Sequence, residues 1–200
     1  MSIKKGSFVL NANLDINVSP PNIVLFLLGY SLYQNNLRIL FFALCCVATL
    51  LGNEALKRIS KLLLPKTSKL LGRVHRPIGA KNCGVLVNCA SPVVDHHIGM
   101  PSGHSQLAWM ICGYILLNIW EDELNLVDDK KYKTKEQYIY YIVLSIFLVL
   151  MSLVVSISRV EMNCHTLQQV SIGGLIGIVS SYGFYKLRYY FNIKNDDKIL

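Results

Sequence analysis

An uncharged run at residues 138–157 constrains this chain more than any other feature. About 20 residues of continuous apolar character match the length a helix needs to cross the hydrocarbon of a bilayer. A helix lying on a soluble core would instead show a charged face. Residues 37–51 carry only Arg38 as a charge, and the helical pattern continues toward Leu64. Residues 106–120 and 167 to about 185 are also long and apolar enough to span if their polar starts sit at the interface. Residues 23–33 are shorter and follow Pro20 and Pro21, which leaves a tilted span, a re-entrant segment or an interfacial helix open. The expectation is an all-α fold, a polytopic membrane helical bundle of about four to five spanning helices. Residues 1–22 read as a polar N-terminal segment, 23–190 as one membrane domain and 191–200 as a polar tail.

Charge narrows the partners. A net charge of +8 favours an anionic one. With spans present, membrane lipid headgroups or a phosphorylated lipid fit better than nucleic acid, which is not expected as a partner. Lys4 and Lys5 lead into a polar stretch, not an apolar leader, so insertion is expected to rely on the spans. The six cysteines make no metal or disulfide pattern: Cys45, Cys46 and Cys112 fall in apolar runs and are expected in the core. Cys83, Cys89 and Cys164 fall in loops, where an oxidising lumen permits a bridge that the sequence does not pair. Asp95, His96 and His97 lack a convincing ligand set, so no metal and no cofactor are expected.

Pro65 limits the second helix, and Pro101 is a natural first residue of the third. That third helix separates the loop at 65–97 from the loop at 121–136, placing them on opposite sides of the membrane. The fourth helix returns the chain, so residues 158–165 are expected beside residues 101–104 and the basic loop.

Three polar clusters converge there. The first holds Lys69, Arg76 and Pro77 and by itself reads equally as a headgroup-binding basic loop. The second is Pro101-Ser102-Gly103-His104, where a glycine admits close backbone approach, a helix N-terminus attracts an anion and a serine donates. A capping serine with an incidental interfacial histidine is the other reading. The third runs from Ser158-Arg159 to His165, Thr166 and Gln169; Arg159 alone could be snorkelling. Together they supply what phosphoryl transfer needs: fixed positive donors, an in-line nucleophile and an acid for the leaving oxygen.

The patterns K-x6-R-P, P-S-G-H and S-R-x5-H over residues 69–169 resemble the type-2 phosphatidate phosphatase superfamily, which also includes vanadium haloperoxidases. The resemblance implies a metal-independent phosphatase with His165 as nucleophile and His104 as acid, later base. It implies that Lys69, Arg76, Ser102, Gly103 and Arg159 hold the phosphate. The superfamily usually has Asp four residues after the nucleophile, where this chain has Gln169, on the same helical face as His165. A glutamine carbonyl can orient the ring without supplying charge.

His165-Thr166-Leu167-Gln168-Gln169, Gly99-Met100-Pro101-Ser102-Gly103-His104-Ser105-Gln106 and the pair Asn53-Glu54 look like the dolichyldiphosphatase branch, with Gly103 in place of Ser. That likeness implies a polyisoprenyl diphosphate cleaved to the monophosphate, in the endoplasmic reticulum membrane with the site facing the lumen. Counting from Asn53-Glu54 selects Lys61 as the motif lysine, whereas strict spacing selects Lys69, the reading adopted here. A phosphatase for phosphatidate or another lipid monophosphate and an inactive lipid-binding scaffold are the alternatives. The small residues Gly173, Gly174, Gly177, Ser180 and Ser181 suggest close helix packing within the chain.

Overall fold

The structure is a computed structural model that describes residues 20–63, 67–68, 72–77, 80, 98–123 and 135–193. The described residues form five α-helices: α1 Pro20–Gln34, α2 Leu37–Leu63, α3 Gly103–Leu117, α4 Lys135–Glu161 and α5 Leu167–Tyr190. A π-helical turn, Asn118–Glu123, prolongs α3, and two-residue strands at Thr67–Ser68 and Gly72–Arg73 pair antiparallel. The all-α membrane bundle expected from the sequence is the fold observed. α2, α4 and α5 are each long and apolar enough to cross a membrane.

The bundle is apolar outside and partly polar inside, as hydrocarbon solvent dictates. Phe26, Leu51, Val143, Phe147, Val154 and Val179 are all more than half exposed, while Asn53, Ser105, Gln106, Ser152, Ser156, Gln169 and Ser181 are buried. Lipid tails are as apolar as leucine, so tight packing and interhelical hydrogen bonds have to hold such helices together. α3 and α5 meet closely for this reason. A Cβ at Gly173 would stand 2.5 Å from the Ser102 carbonyl oxygen, and one at Gly177 would collide with the Gln106 carbonyl. The expected small-residue face thus packs inside the chain. Replacing Gly177 by Ala is expected to cost about 1–3 kcal/mol by overpacking against backbone, read as a lower unfolding temperature in detergent; an unchanged temperature would contradict this contact.

Three boundaries differ from expectation. The first apolar block is a 15-residue helix joined to α2 by a tight turn with Asn35 at φ 48°, and its Val24 enters the core with Cys46, Leu107, Met110, Tyr114 and Tyr185. At ~1.5 Å per residue that helix is about 22 Å long, short of the hydrocarbon thickness. Pro101 does not start α3. It follows a cis Met100–Pro101 peptide, and the helix begins at Gly103. α4 runs longer than its uncharged stretch, because Lys135, Glu136 and Arg159 take the interfacial turns at its ends. Cys45, Cys46 and Cys112 are buried free thiols, as expected.

Candidate active site

One end of the bundle gathers the ends of α2 and α4, the starts of α3 and α5, and the short segments 74–76 and 98–102. The segments are tied together by backbone. Gly99 N–H donates to the Val74 carbonyl at 2.9 Å, and His75 forms an isolated antiparallel bridge with Ile98. Ser102 N–H donates to the Gln169 carbonyl at 3.1 Å, joining the first turn of α5 to the Pro101–Ser102 corner. The convergence expected from topology is therefore made by direct hydrogen bonds.

His165 and Gln169 form the centre. His165 is buried, with Nδ1 3.1 Å from Gln169 Oε1. Two neighbours fix which way the amide points. Gln169 Nε2 donates to the His75 carbonyl at 2.8 Å, and Thr166 N–H donates to Oε1 at 3.2 Å. Oε1 is therefore the atom facing the ring, and as a pure acceptor it requires a proton on Nδ1. Nε2 of a neutral His165 keeps its lone pair. Thr166 and Gln169 also make a reciprocal capping box that starts α5, so one glutamine both begins the helix and orients the ring. Gly99 leaves the room: a Cβ there would overlap the Gln169 amide.

Ser102 and His104 face this centre from α3. Ser102 is fully buried at the N-cap position, makes no side-chain cap bond, and its hydroxyl has no partner among the described residues. Ser102 thus stands at the N-cap without a side-chain capping bond. A buried orphan hydroxyl costs about 1–3 kcal/mol unless something accepts its proton, and an anion at this helix N-terminus would do so. Gly103 is shaped by Asn53: a Cβ at 103 would lie 2.8 Å from Asn53 Oδ1, while Asn53 Nδ2 donates to Gln106 Oε1 at 2.8 Å.

Arg159 ends α4 and accepts N–H bonds from Cys164 and His165 at 3.0 and 3.2 Å. Asn163, at φ 53°, supplies the left-handed residue that closes this turn, a conformation asparagine tolerates. Cys164, next to His165, is buried and disulfide-bonded, and its partner lies outside the described residues. Arg76 is partly buried and lies within electrostatic reach of His165 and His104. Lys69 lies outside the described residues, as do Cys83, Cys89 and the Asp95-His96-His97 stretch. Lys61 is exposed in the last turn of α2.

Lys57 is the site cation that sequence reading missed. It lies one turn beyond Asn53 on the same face of α2, its Nζ bonds Glu54 at 2.6 Å, and its charge acts on both histidines. The i to i+4 step from Asn53 was the available signal.

A model of the PAP2 superfamily matches residues 37–193. The chain belongs to the PAP2 superfamily. That superfamily is known for lipid phosphatases, and a membrane-embedded phosphatase is the activity class to which membership points this PAP2 chain. No curated protein and no solved structure matches it.

The electrostatics of the PAP2 site favour a dianion. Burial lowers the His165 pKa to about 4, with Arg76 and Lys57 adding to the fall and the Gln169 bond opposing it. Burial lowers His104 to about 3, reinforced by Arg159, His165, Lys57 and Arg76. Both rings are thus neutral near pH 7 in the empty site. An incoming dianion opposes the positive charges beside His104 and raises its pKa, so binding is expected to take up a proton there. Affinity for an oxyanion of fixed charge such as tungstate is expected to rise as pH falls from neutral toward the low pKa of free His104. Calorimetry in buffers of different ionisation heat reads the uptake; pH-independent affinity with no proton uptake would exclude this coupling.

Proposed function

We propose that the chain hydrolyses a polyisoprenyl diphosphate, of the dolichyl type, to the monophosphate through a phosphohistidine on His165. The observation that carries this reading is the His165–Gln169 arrangement, which leaves Nε2 with its lone pair inside a buried, positively charged site. His165 Nε2 attacks the terminal phosphorus, and the bond to the bridging oxygen breaks. His104 gives its proton to that oxygen as the polyisoprenyl monophosphate leaves. Water then attacks the phosphorus, His104 takes its proton, and the P–N bond electrons return to Nε2. Arg76, Arg159, Ser102, the Gly103 backbone and Lys69 hold the equatorial oxygens. Gln169 orients the ring by accepting from Nδ1. No step calls on a metal or cofactor.

Lys57 favours a diphosphate, because a cation near His104 steadies the second phosphate as it departs. Lys57→Met is expected to lower kcat/KM for a polyisoprenyl diphosphate about tenfold and for phosphatidate by much less; equal losses would remove this role. Metal-free assay of the purified protein on dolichyl diphosphate and phosphatidate tests the function directly. Faster turnover of phosphatidate would make the chain a lipid monophosphate phosphatase, and turnover of neither would leave a lipid-binding scaffold. The disulfide at Cys164 supports placing this end of the bundle in an oxidising lumen, that of the endoplasmic reticulum.

A further inference from the structure

A groove of about 460 Å³ runs between α4 and α5 with α3 as its floor, lined among others by Trp109, Ile157, Val160, Leu167, Ser171 and Ile178. Its mouth lies at the site's end of the bundle: Leu167 is two residues after His165, Val160 follows Arg159, and the exposed Glu161 is its one charged lining residue. Its floor is tied to the turn that carries His104. Trp109 Nε1 donates to Ser156 Oγ at 3.1 Å, Ser156 Oγ lies 3.0 Å from Ser105 Oγ, and Ser105 donates to the Val170 carbonyl at 2.8 Å. Gly174 lets the indole lie close, since a Cβ there would stand 2.9 Å from Trp109 Cδ1. The rest of the lining is mostly hydrocarbon. From Leu167 to Ile178 the groove follows about 16 Å of α5, at ~1.5 Å per residue. Ile157 and Leu175 on its walls are 56% and 63% exposed, so it opens sideways toward the bilayer.

We propose that this groove holds the hydrocarbon tail of the substrate whose phosphate His165 attacks, an inference that rests on the phosphatase reading above. Its place at the site's end of the bundle, the hydrogen bonds from its floor to the turn of His104, and an apolar, laterally open lining identify the occupant: a tail enters without leaving the hydrocarbon. Moving from lipid to groove gains little hydrophobic energy. The groove therefore works by orientation, fixing the line along which the phosphate meets Nε2. Tail length is read along α5, from Leu167 at the mouth to Ile178 at the deep end.

The test uses the full chain in nanodiscs. A geranylgeranyl phosphonate carrying a mid-chain diazirine is expected to label groove residues of α4 and α5. Ser171→Phe, near the mouth, is expected to cut labelling and kcat/KM for geranylgeranyl diphosphate about tenfold while sparing p-nitrophenyl phosphate. Ile178→Trp is expected to slow the geranylgeranyl substrate and spare the geranyl one. Label on other helix faces, or equal losses on the tail-less phosphate, would overturn the groove assignment. Groove labelling in a wild-type protein that cleaves no phosphate would instead overturn the phosphatase reading and leave the groove as a lipid site.

Discussion

Replacing His165 by Ala is expected to lower kcat on a polyisoprenyl diphosphate by about 10⁴-fold or more, since the lone pair that forms the P–N bond is then lost. The same change should abolish acid-labile, base-stable phosphate labelling of the protein. Added imidazole, able to occupy the vacated space, should restore a small part of the turnover and so separate lost chemistry from lost folding. Wild-type turnover in the variant would sink the covalent mechanism, and label retained on another residue would move the nucleophile elsewhere.

His104→Ala should be nearly as damaging on a lipid substrate, with a loss of about 10²–10⁴-fold, the usual weight of one proton-transfer group. Its signature differs from that of His165. An aryl phosphate has a leaving oxygen stable enough to depart without a proton, so phosphorylation should proceed almost normally with p-nitrophenyl phosphate. Dephosphorylation still needs a base to activate water. The variant is therefore expected to give a burst of nitrophenol and then to stall as phosphoenzyme. Equal slowing of burst and steady state on the aryl substrate would remove His104 from the acid–base role and leave it as a binding group.

Much of this arrangement was legible because membrane solvent simplifies the code. The uncharged stretch at 138–157 and the single charge in 37–51 announced α4 and α2, and the order of crossings placed residues 101–104 beside 158–165 before any geometry was known. The contact of Gln169 with the imidazole follows from its i to i+4 spacing from His165 on one helical face. Other features were illegible because they depend on partners distant in sequence. The start of α3 was misplaced because a cis Met100–Pro101 bond follows from no local propensity. Lys57 sits one turn beyond Asn53, a step visible in the sequence, but a lysine on an apolar helix ordinarily snorkels, and the contacts of Asn53 with Pro101 and Gln106 are what show that this face of α2 meets the site. Nor could a sequence show that the Ser102 hydroxyl declines its capping bond. Lys61 lies exposed in the last turn of α2, and Lys69 falls outside the described residues.

One amide joins two parts of this end of the bundle. Gln169 reaches His165 with its oxygen and the His75 carbonyl with its nitrogen, and His75 adjoins Arg76. The grip on phosphate and the readiness of the nucleophile thus share a single amide. A change that shifts the segment carrying His75 is therefore expected to disturb the orientation of the His165 ring as well. An aspartate at this position would set its carboxylate against the His75 carbonyl and cut that connection.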